Sequence, residues 1–423
     1  MNVIFINIFI FNFISNIIAN KHLNKIAFIN NNLTYTELLQ IINKKKNDYL
    51  KKNKIIICKS KNKIDLAIEI LAILVSNNIP LIANEKIINS LKEDKKSYQD
   101  LAFIVFSSGT TNKEKGIMLS DENIINNILG INRMFSLKNN EKNIIIIRPL
   151  IHISALVGEL LYSLYKGLSI YFYEDILFPN KINEAINTYN INILGTTPTI
   201  FKRIYDYKCD LASLKHVVLS GEILNSKLIV DFYNYYNNIT FYNAYGMSEN
   251  SPRATYIKGN DLITHLNSVG KPLINTKIVI KNNEILIKGK SLMKGYYKNK
   301  KLTKNRIING YFHTKDCGYF KDDYLYVTGR IDNLIIKYGV NIFPEEIEEI
   351  VRKYKNVSDC LVYKIKGKDT DLIGLKVVGD VSIDKLKQYL IKNLEAIKIP
   401  SEISIEKNLK LTESGKIKRW MIL

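Results

Sequence analysis

The sequence predicts an α/β protein: a large N-terminal domain of α/β sheets with a small β subdomain, then a small α+β domain at the C-terminus. Three observations carry this. Strand-like runs alternate with helical patterns through the first three quarters of the chain. From Lys277 the texture turns to short strands joined by polar turns, and the last stretch, about 90 residues, closes as a unit of its own. A length of 423 residues allows two or three such domains.

Taken in order, Met1 to Ile18 is apolar but has no Lys or Arg before it, is interrupted by Asn7, Asn12 and Asn16, and lacks a small-residue cleavage site. It reads as an amphipathic first helix rather than a signal peptide. No later run approaches the ~20 apolar residues of a spanning helix. Ile55–Cys58 is a short strand, followed by the helical period of Ile64 to Val75. Leu101–Phe106 is a buried strand ended by Ser107-Ser108-Gly109, and Lys215–Leu219 does the same before Ser220-Gly221. Lys277–Ile280 and Glu284–Lys288 flank Asn282-Asn283 as a hairpin, because Asn tolerates the positive φ of a tight turn. Tyr324–Val327, after Asp322-Asp323, is another hairpin arm.

In the last unit a helix over 344–354 opens with Pro344, carries Glu345 and Glu346 in its first turn, and ends in Arg352 and Lys353. Strands at 360–365, 372–378 and 402–405 and a helix at 383–394 complete it. The junction falls in the polar turn Gly329-Arg330-Ile331-Asp332-Asn333, giving domains at 1–329 and 333–423 with a hinge at 330–332.

Composition narrows the function. Hydrophobic residues at 46%, charged residues at 24% and only 8 Pro describe a globular chain. The formal charge is +21, which alone would suit a nucleic-acid or anionic-membrane partner. But only eight of the 61 basic residues are Arg, in a chain rich in Lys, Ile and Asn throughout. That is compositional drift, and the Lys44-Lys45-Lys46 run reads as a solvated helix face, so no nucleic-acid partner is expected. Cys58, Cys209, Cys317 and Cys360 are scattered, with no zinc-ligand spacing, which suits a reducing cytoplasm.

The sharpest motif is Ser107-Ser108-Gly109-Thr110-Thr111-Asn112-Lys113-Glu114-Lys115-Gly116. Small hydroxyl residues and glycines after a strand gather backbone N–H groups and hydroxyls around one point, as a polyphosphate requires, and Lys115 adds charge. It is not a Walker A loop, since Glu114 stands where that loop needs Gly. Alone, an ordinary Ser/Thr-rich turn would explain it equally well.

It does not stand alone. The loop resembles that of the adenylate-forming superfamily, which includes acyl- and aryl-CoA ligases and amino-acid adenylation domains. Further matches follow in order: Pro149-Leu150-Ile151-His152-Ile153-Ser154, Tyr242-Asn243-Ala244-Tyr245-Gly246-Met247-Ser248-Glu249 and Ser268-Val269-Gly270-Lys271-Pro272. Then come Met293-Lys294-Gly295-Tyr296-Tyr297, Gly310 to Gly318, Gly329-Arg330, Gly339 to Glu348, and the tail Ser414-Gly415-Lys416-Ile417. The resemblance spans 22 to 419. It implies a large AMP-binding domain with a small mobile C-terminal domain, and activation of a carboxylic acid by ATP to an acyl-adenylate, then transfer to coenzyme A.

What it implies for residues agrees with their chemistry. Ser107, Ser108, Gly109, Thr110, Thr111 and Lys115 would hold phosphates. Glu249, by itself an ordinary surface residue, would hold Mg²⁺, which takes a carboxylate plus phosphate oxygens. Tyr245 can stack on a purine, although a core aromatic is its plain alternative. Asn243 offers donor and acceptor to an adenine edge, with Gly221, Ala244, Gly246 and Ser248 around it. Asp316, otherwise a turn-stabilising Asp, suits two ribose hydroxyls, and Arg330 the ribose or phosphate. Only the resemblance singles out Lys416 among so many Lys, as the cation bridging carboxylate and α-phosphate. It likewise places Asp332 at the hinge and Gly339 on the coenzyme A channel, where the absence of a side chain leaves room.

Two departures stand out. Asn112 and Glu114 replace a Gly and a Pro common in the family, and barely twenty residues separate Pro80-Leu81-Ile82 from the phosphate-loop strand, where another βα unit is usual. Part of the N-terminal subdomain is therefore expected to be deleted. In the acyl site, His152 stands where amino-acid-activating relatives place an Asp for the substrate ammonium, so an acid without an α-amine is expected; a satisfied core His is the plain alternative. Ser220, Gly221 and Ala244 join His152 as pocket candidates, with Pro252 at the rim. Two other functions fit the sequence: loading of an acyl carrier protein, and a degenerate nucleotide-binding relative, against which the joint presence of Lys416, Glu249, Asp316 and Thr110 argues.

Overall fold

The structure is a computed structural model that describes residues 23–91, 96–107 and 114–409. The helix expected over Met1–Ile18, the centre of the phosphate loop (Ser108 to Lys113) and Lys416 lie outside the described residues.

A five-stranded sheet orders Gly295–Tyr296, Lys115–Leu119, Phe103–Ser107, Ile79–Ile82 and Ile55–Ile57. Phe103–Ser107 runs antiparallel to Lys115–Leu119 and parallel to Ile79–Ile82. The stretch expected to be shortened falls here. Between those parallel neighbours the crossover carries, among the described residues, one short helix, Glu85–Ser90, capped by the Asn84 side chain on Ile87 N–H. Ile79, Leu81, Ile87, Leu101, Ile104 and Tyr297 make a local apolar cluster over it.

The large sheet contains 14 strands. Its centre is parallel: β1 (Asn143–Ile146), β2 (Ser169–Phe172), β3 (Ile193–Thr196), β4 (His216–Ser220) and β5 (Thr240–Gly246), in spatial order β5-β4-β3-β1-β2. The path steps from β1 outward to β2 and then returns past β1 to β3, so the topology switches between β1 and β3. The carboxyl edge of such a switch is where open α/β sheets take ligands. Beyond β5 the sheet continues antiparallel, from Arg253–Lys258 through Ser268–Pro272, Tyr324–Arg330 and Tyr311–Lys321 to the hairpin of Glu284–Gly289 and Thr276–Lys281.

Alternation along the parallel strands decides the layers. Ile145, Ile147, Leu194, Val217 and Leu219 pack with helices Pro179–Thr188, Pro198–Asp206 and Ser226–Tyr235. Ile144, Ile146, Ile193 and Val218 face the other way, into a layer formed by helices Lys63–Val75 and Asp121–Met134 and the helical segment 153–166. Phe103, Val105 and Ile117 of the small sheet join the same cluster, so one helical layer serves two sheets. Lys63–Val75 is buried at every position from Leu66 to Val75, as a helix apolar on all sides must be.

The tight turns follow the sequence closely. Asn282 and Asn283 have φ 50° and 63°, and so do Asp322 and Asp323, the doubly left-handed loop that joins twisted antiparallel strands. Residues 335–403 contribute a separate apolar cluster built on helices Pro344–Arg352 and Ile383–Asn393 and a three-stranded sheet of Val357–Lys366, Asp371–Gly379 and Glu402–Ile405. Among the described residues no helix is long and apolar enough to cross a membrane.

One close backbone approach sets a measurable constraint. Gly270 has φ +88°, and a Cβ there would lie 1.9 Å from the Tyr256 carbonyl oxygen, whereas one on Gly259 (φ +56°) would meet nothing within 4 Å. Gly259, at φ 56° and ψ −133°, lies outside the left-handed helical region, so Gly259→Ala is expected to cost roughly 1–3 kcal/mol from backbone strain alone. Gly270→Ala should cost roughly 3 kcal/mol or more, because backbone must also move. Urea unfolding of both variants measures this, and equal losses would refute the close approach.

Candidate functional site

The site forms at the carboxyl edge of the parallel strands. Ser220 ends β4 and pairs with Ala244 on β5, and the chain then turns through Gly221 at φ +91°. β5 ends at Gly246, where a Cβ would fall 2.0 Å from the Pro252 carbonyl oxygen, so only glycine lets the segment fold back on itself. That tight return projects the short turn Ser248–Asn250, which carries Glu249.

Glu249 is half-buried, and its Oε1 accepts a hydrogen bond from the Tyr296 hydroxyl at 2.7 Å. Tyr296 belongs to the strand paired with Ile117 and Met118, which brings it beside Lys115 at the start of the neighbouring strand. The Lys115 ammonium lies 6.0 Å from the Tyr296 ring centroid. Burial lowers the Lys115 pKa, Arg306 and Arg330 add to the lowering, and Glu249 and Asp332 oppose it. Burial and then Glu249 raise the Tyr296 phenol, which stays a neutral donor.

A second group adjoins the first. Asp316 and Arg330 are direct partners across antiparallel strands. Arg330 Nη1 donates to Asp316 Oδ1 at 3.0 Å and Nη2 to Asp332 Oδ2 at 3.3 Å, while the Tyr245 hydroxyl donates to Asp316 Oδ2 at 2.6 Å. Burial raises the Asp316 pKa, and Arg330 and Tyr245 hold it back. Asp316 also feels Arg306 and Glu249, so Lys115, Arg306 and Arg330 form one electrostatic cluster with Glu249, Asp316 and Asp332. Three cations face three carboxylates: Lys115, Glu249, Arg306 and Asp316 come from segments before the turn at 329–333, and Arg330 and Asp332 from the turn itself.

Other expected positions fall as follows. Ser107 ends its strand beside Lys115, with which it pairs. Asn243 is buried and donates from Nδ2 to the Ser268 carbonyl at 3.0 Å, so its amide N–H ties β5 to the antiparallel half of the sheet. Ala244 packs in the main core, while Gly221 and Gly246 are exposed. His152 is half-buried at the head of the helical segment after β1, its carbonyl accepting from the N–H groups of Ala155 and Leu156.

One expectation needs correction. Pro252 is buried, not at a rim, because the fold-back at Gly246 covers it. Gly339, expected on the coenzyme A channel, sits in the turn between Ile335–Lys337 and Val340–Ile342, whose Ile335 and Ile342 are buried, and a Cβ on it would meet nothing within 4 Å. In this arrangement its φ of +79°, not lack of space, calls for glycine.

The motifs contain Tyr296 without assigning it a role, and none contains Arg306. The signal for Arg306 was the scarcity of Arg in a Lys-rich chain; its Nη2 donates to the Thr314 carbonyl at 3.2 Å, which aims it at the same cluster.

Comparison with known proteins bears on this arrangement. The family model described as AMP-binding enzyme matches residues 25–297. A 2-succinylbenzoate–CoA ligase of Lactococcus lactis is 30% identical over 329 residues, covering 76% of this chain and 70% of the relative. The ligase of the same name from Listeria monocytogenes is 29% identical over 328 residues, covering 75% and 68%. In structure, the chain is similar to o-succinylbenzoate coenzyme A synthetase of Bacillus subtilis in complex with ATP and magnesium ion, with a TM-score of 0.84 at 20% identity over 96% and 98% of the two chains.

The Asp316 arrangement is testable without any ligand. Arg330→Met leaves a buried carboxylate with only Tyr245 as a side-chain donor and should lower stability by about 2 kcal/mol at neutral pH. Adding Asp316→Asn should recover most of that loss, since the charge left unpaired is then gone. Denaturant unfolding of both variants checks it; additive losses would show that the two residues do not form the pair described.

Proposed function

The chain belongs to the AMP-binding enzyme family and is an ATP-dependent acid–CoA ligase, and from that premise we propose which residues carry its two half-reactions and which acid it takes. A substrate carboxylate displaces pyrophosphate from the α-phosphate of ATP, and the acyl-adenylate then passes its acyl group to the thiol of coenzyme A with release of AMP. The observation that carries the residue assignment is the balanced cluster of Lys115, Arg306, Arg330, Glu249, Asp316 and Asp332 at the carboxyl edge of the sheet.

An ionised carboxylate offers about four acceptor positions. At Asp316, Tyr245 and Arg330 use two, which leaves two for the vicinal hydroxyls of a ribose. Tyr245 thereby lies along the nucleoside, with Asn243, Ala244, Gly246, Ser248 and Gly221 around the adenine. Lys115, with Ser107, Ser108, Gly109, Thr110 and Thr111, takes the phosphates. Glu249 fits Mg²⁺: Tyr296 holds one of its oxygens, and Mg²⁺ typically needs only one or two carboxylates beside substrate phosphates. Among the described residues no cluster of three or more His, Cys, Asp or Glu forms an all-protein metal cage, which suits a metal shared with the nucleotide. When bound, Mg²⁺ supplies charge neutralisation of the polyphosphate.

Lys416, from the C-terminal tail, serves the first half-reaction, where negative charge builds on the α-phosphate. The hinge at 330–332, with Asp332 at its centre, separates the domains 1–329 and 333–423. Gly339 lies on the pantetheine path used in the second half-reaction. The acid we favour is 2-succinylbenzoate or a close aryl acid, supported by the names of both curated relatives and by His152, which offers no carboxylate to a substrate ammonium. Coenzyme A as acceptor is favoured over a carrier protein by the same names. Four buried cysteines, none in a disulfide among the described residues, favour a cytoplasmic enzyme.

Pyrophosphate release should appear with 2-succinylbenzoate and not with amino acids, and thioester should form only when coenzyme A is added. No release with any acid of a broad panel would overturn the reading. Chelating the metal should abolish release, and Glu249→Gln should reduce it by ~10²–10³-fold, the scale of one lost electrostatic group. Lys416→Ala should lose adenylation on the same scale yet still convert synthetic acyl-adenylate to thioester; equal impairment of both steps would remove Lys416 from the first step alone.

A further inference from the structure

Against Ser220, an expected acyl-pocket residue, lies an ion pair that the assignment above does not use. β1 ends at Ile146, and alternation carries Arg148 onto the same sheet face as Ile144 and Ile146. On that face, Gly195 of β3, Ser220 of β4 and Ala244 of β5 continue the row along the carboxyl edge, next to the switch between β1 and β3.

Arg148 reaches Ser220 although β3 stands between their strands. It crosses over Gly195, where a Cβ would lie 2.3 Å from Glu159 Oε1 and 3.0 Å from Arg148 Nη2. Glu159 comes from the widened π-helical turn Leu156–Leu161. Its Oε1 accepts from both Arg148 Nη2 and, at 3.1 Å, Arg148 Nε, and Arg148 Nη1 donates to Ser220 Oγ at 3.1 Å. Exposure is 5% for Arg148, 1% for Glu159 and 7% for Ser220. Such a pair gives no stability that apolar side chains of equal volume would lack, so its presence against Ser220 asks for another reason.

Hydrogen-bond chemistry supplies one. A guanidinium only donates, so Ser220 Oγ must accept from Arg148, and the serine's own hydrogen is left to be given elsewhere. Among the described residues the hydroxyl finds no acceptor. A second buried guanidinium strengthens the bias: Arg253 is 3% exposed, its Nη2 lies 3.4 Å from where a Gly158 Cβ would stand, and its Nε has no partner among the described residues. Burial and then Arg148 lower its pKa to about 10, so it remains charged at neutral pH. Two arginines and one glutamate leave this buried group with a net positive charge.

We propose that Arg148 is a positioning residue that fixes Ser220 as a hydrogen-bond donor into the acyl site, and that Ser220 thereby selects acids carrying a second electronegative oxygen, a ketone or a further carboxylate. The selection rests on the acid-activating reading above and adds to it the residues that discriminate among acids.

The test measures kcat/KM for pyrophosphate release with three acids: 2-succinylbenzoate, benzoylpropionate, which keeps the ketone and lacks the ring carboxylate, and phenylbutyrate, which lacks both. Wild-type enzyme should prefer one or both oxygenated acids over phenylbutyrate. Ser220→Ala should cut that preference about tenfold or more, as expected for a lost hydrogen bond to a polar or charged acceptor, while Ser220→Thr retains it. The double variant Arg148→Met/Glu159→Leu removes the pair without stranding a buried charge. It should lose the same preference, and adding Ser220→Ala to it should change little further, since the two act through one contact. An unchanged preference in Ser220→Ala, with all three acids slowed equally, would overturn the proposal while leaving the adenylation reading intact. If the double variant fails to fold, the serine variants alone decide. No turnover of any acid by the wild type would remove both.

Discussion

The site depends on one buried carboxylate. Asp316 is 7% exposed, in a setting that opposes its ionisation, and it is held by a phenol from the end of β5 and a guanidinium from the opposite strand. Those two donors belong to different parts of the fold: Tyr245 to the edge of the parallel sheet, Arg330 to the last antiparallel strand before the C-terminal segment. Both donors offset part of the cost of burying Asp316, and either one alone would offset less. The carboxylate thus fixes the parallel edge against the antiparallel strands, and the second arm of Arg330 extends the same constraint to Asp332.

Around that anchor, charge is kept near balance while apolar layers do the holding. The helix Lys63–Val75 and the segment 153–166 fill the space between two sheets, so the strand edges that carry Lys115, Tyr296 and Glu249 come from one sheet and the turn beside the other. The short crossover before Phe103 fits this arrangement, because Ile79–Ile82 and Phe103–Ser107 are parallel neighbours and Ile87 packs in the apolar cluster with them.

The drift toward Asn has a structural side. Among the described residues, ten of the eighteen non-glycine residues with positive φ are Asn, and the chain holds only 20 Gly. Asn is one of the few side chains that visits the left-handed region readily, so it takes turn positions that glycine would usually occupy. Glycine is kept where a backbone or a buried ion pair must pass close, as at Gly246, Gly270 and Gly195.

What rests on local chemistry is legible along the chain. Asn282-Asn283 and Asp322-Asp323 specify their hairpins, Pro344 with Glu345 and Glu346 starts its helix, and the period of Ile64 to Val75 marks a buried helix, since each follows from a few adjacent residues. The ordered motifs likewise made Lys115, Tyr245, Glu249, Asp316 and Arg330 legible as candidates. Only the tertiary structure decided which groups meet. Tyr296 reaches Glu249 across 47 positions and Arg148 reaches Ser220 across 72, and neither pairing leaves a trace in local spacing. Both depend on strand order and register, and the second also on a missing Cβ in the strand between. Those are properties of how distant segments pack, and no short window of the chain contains them.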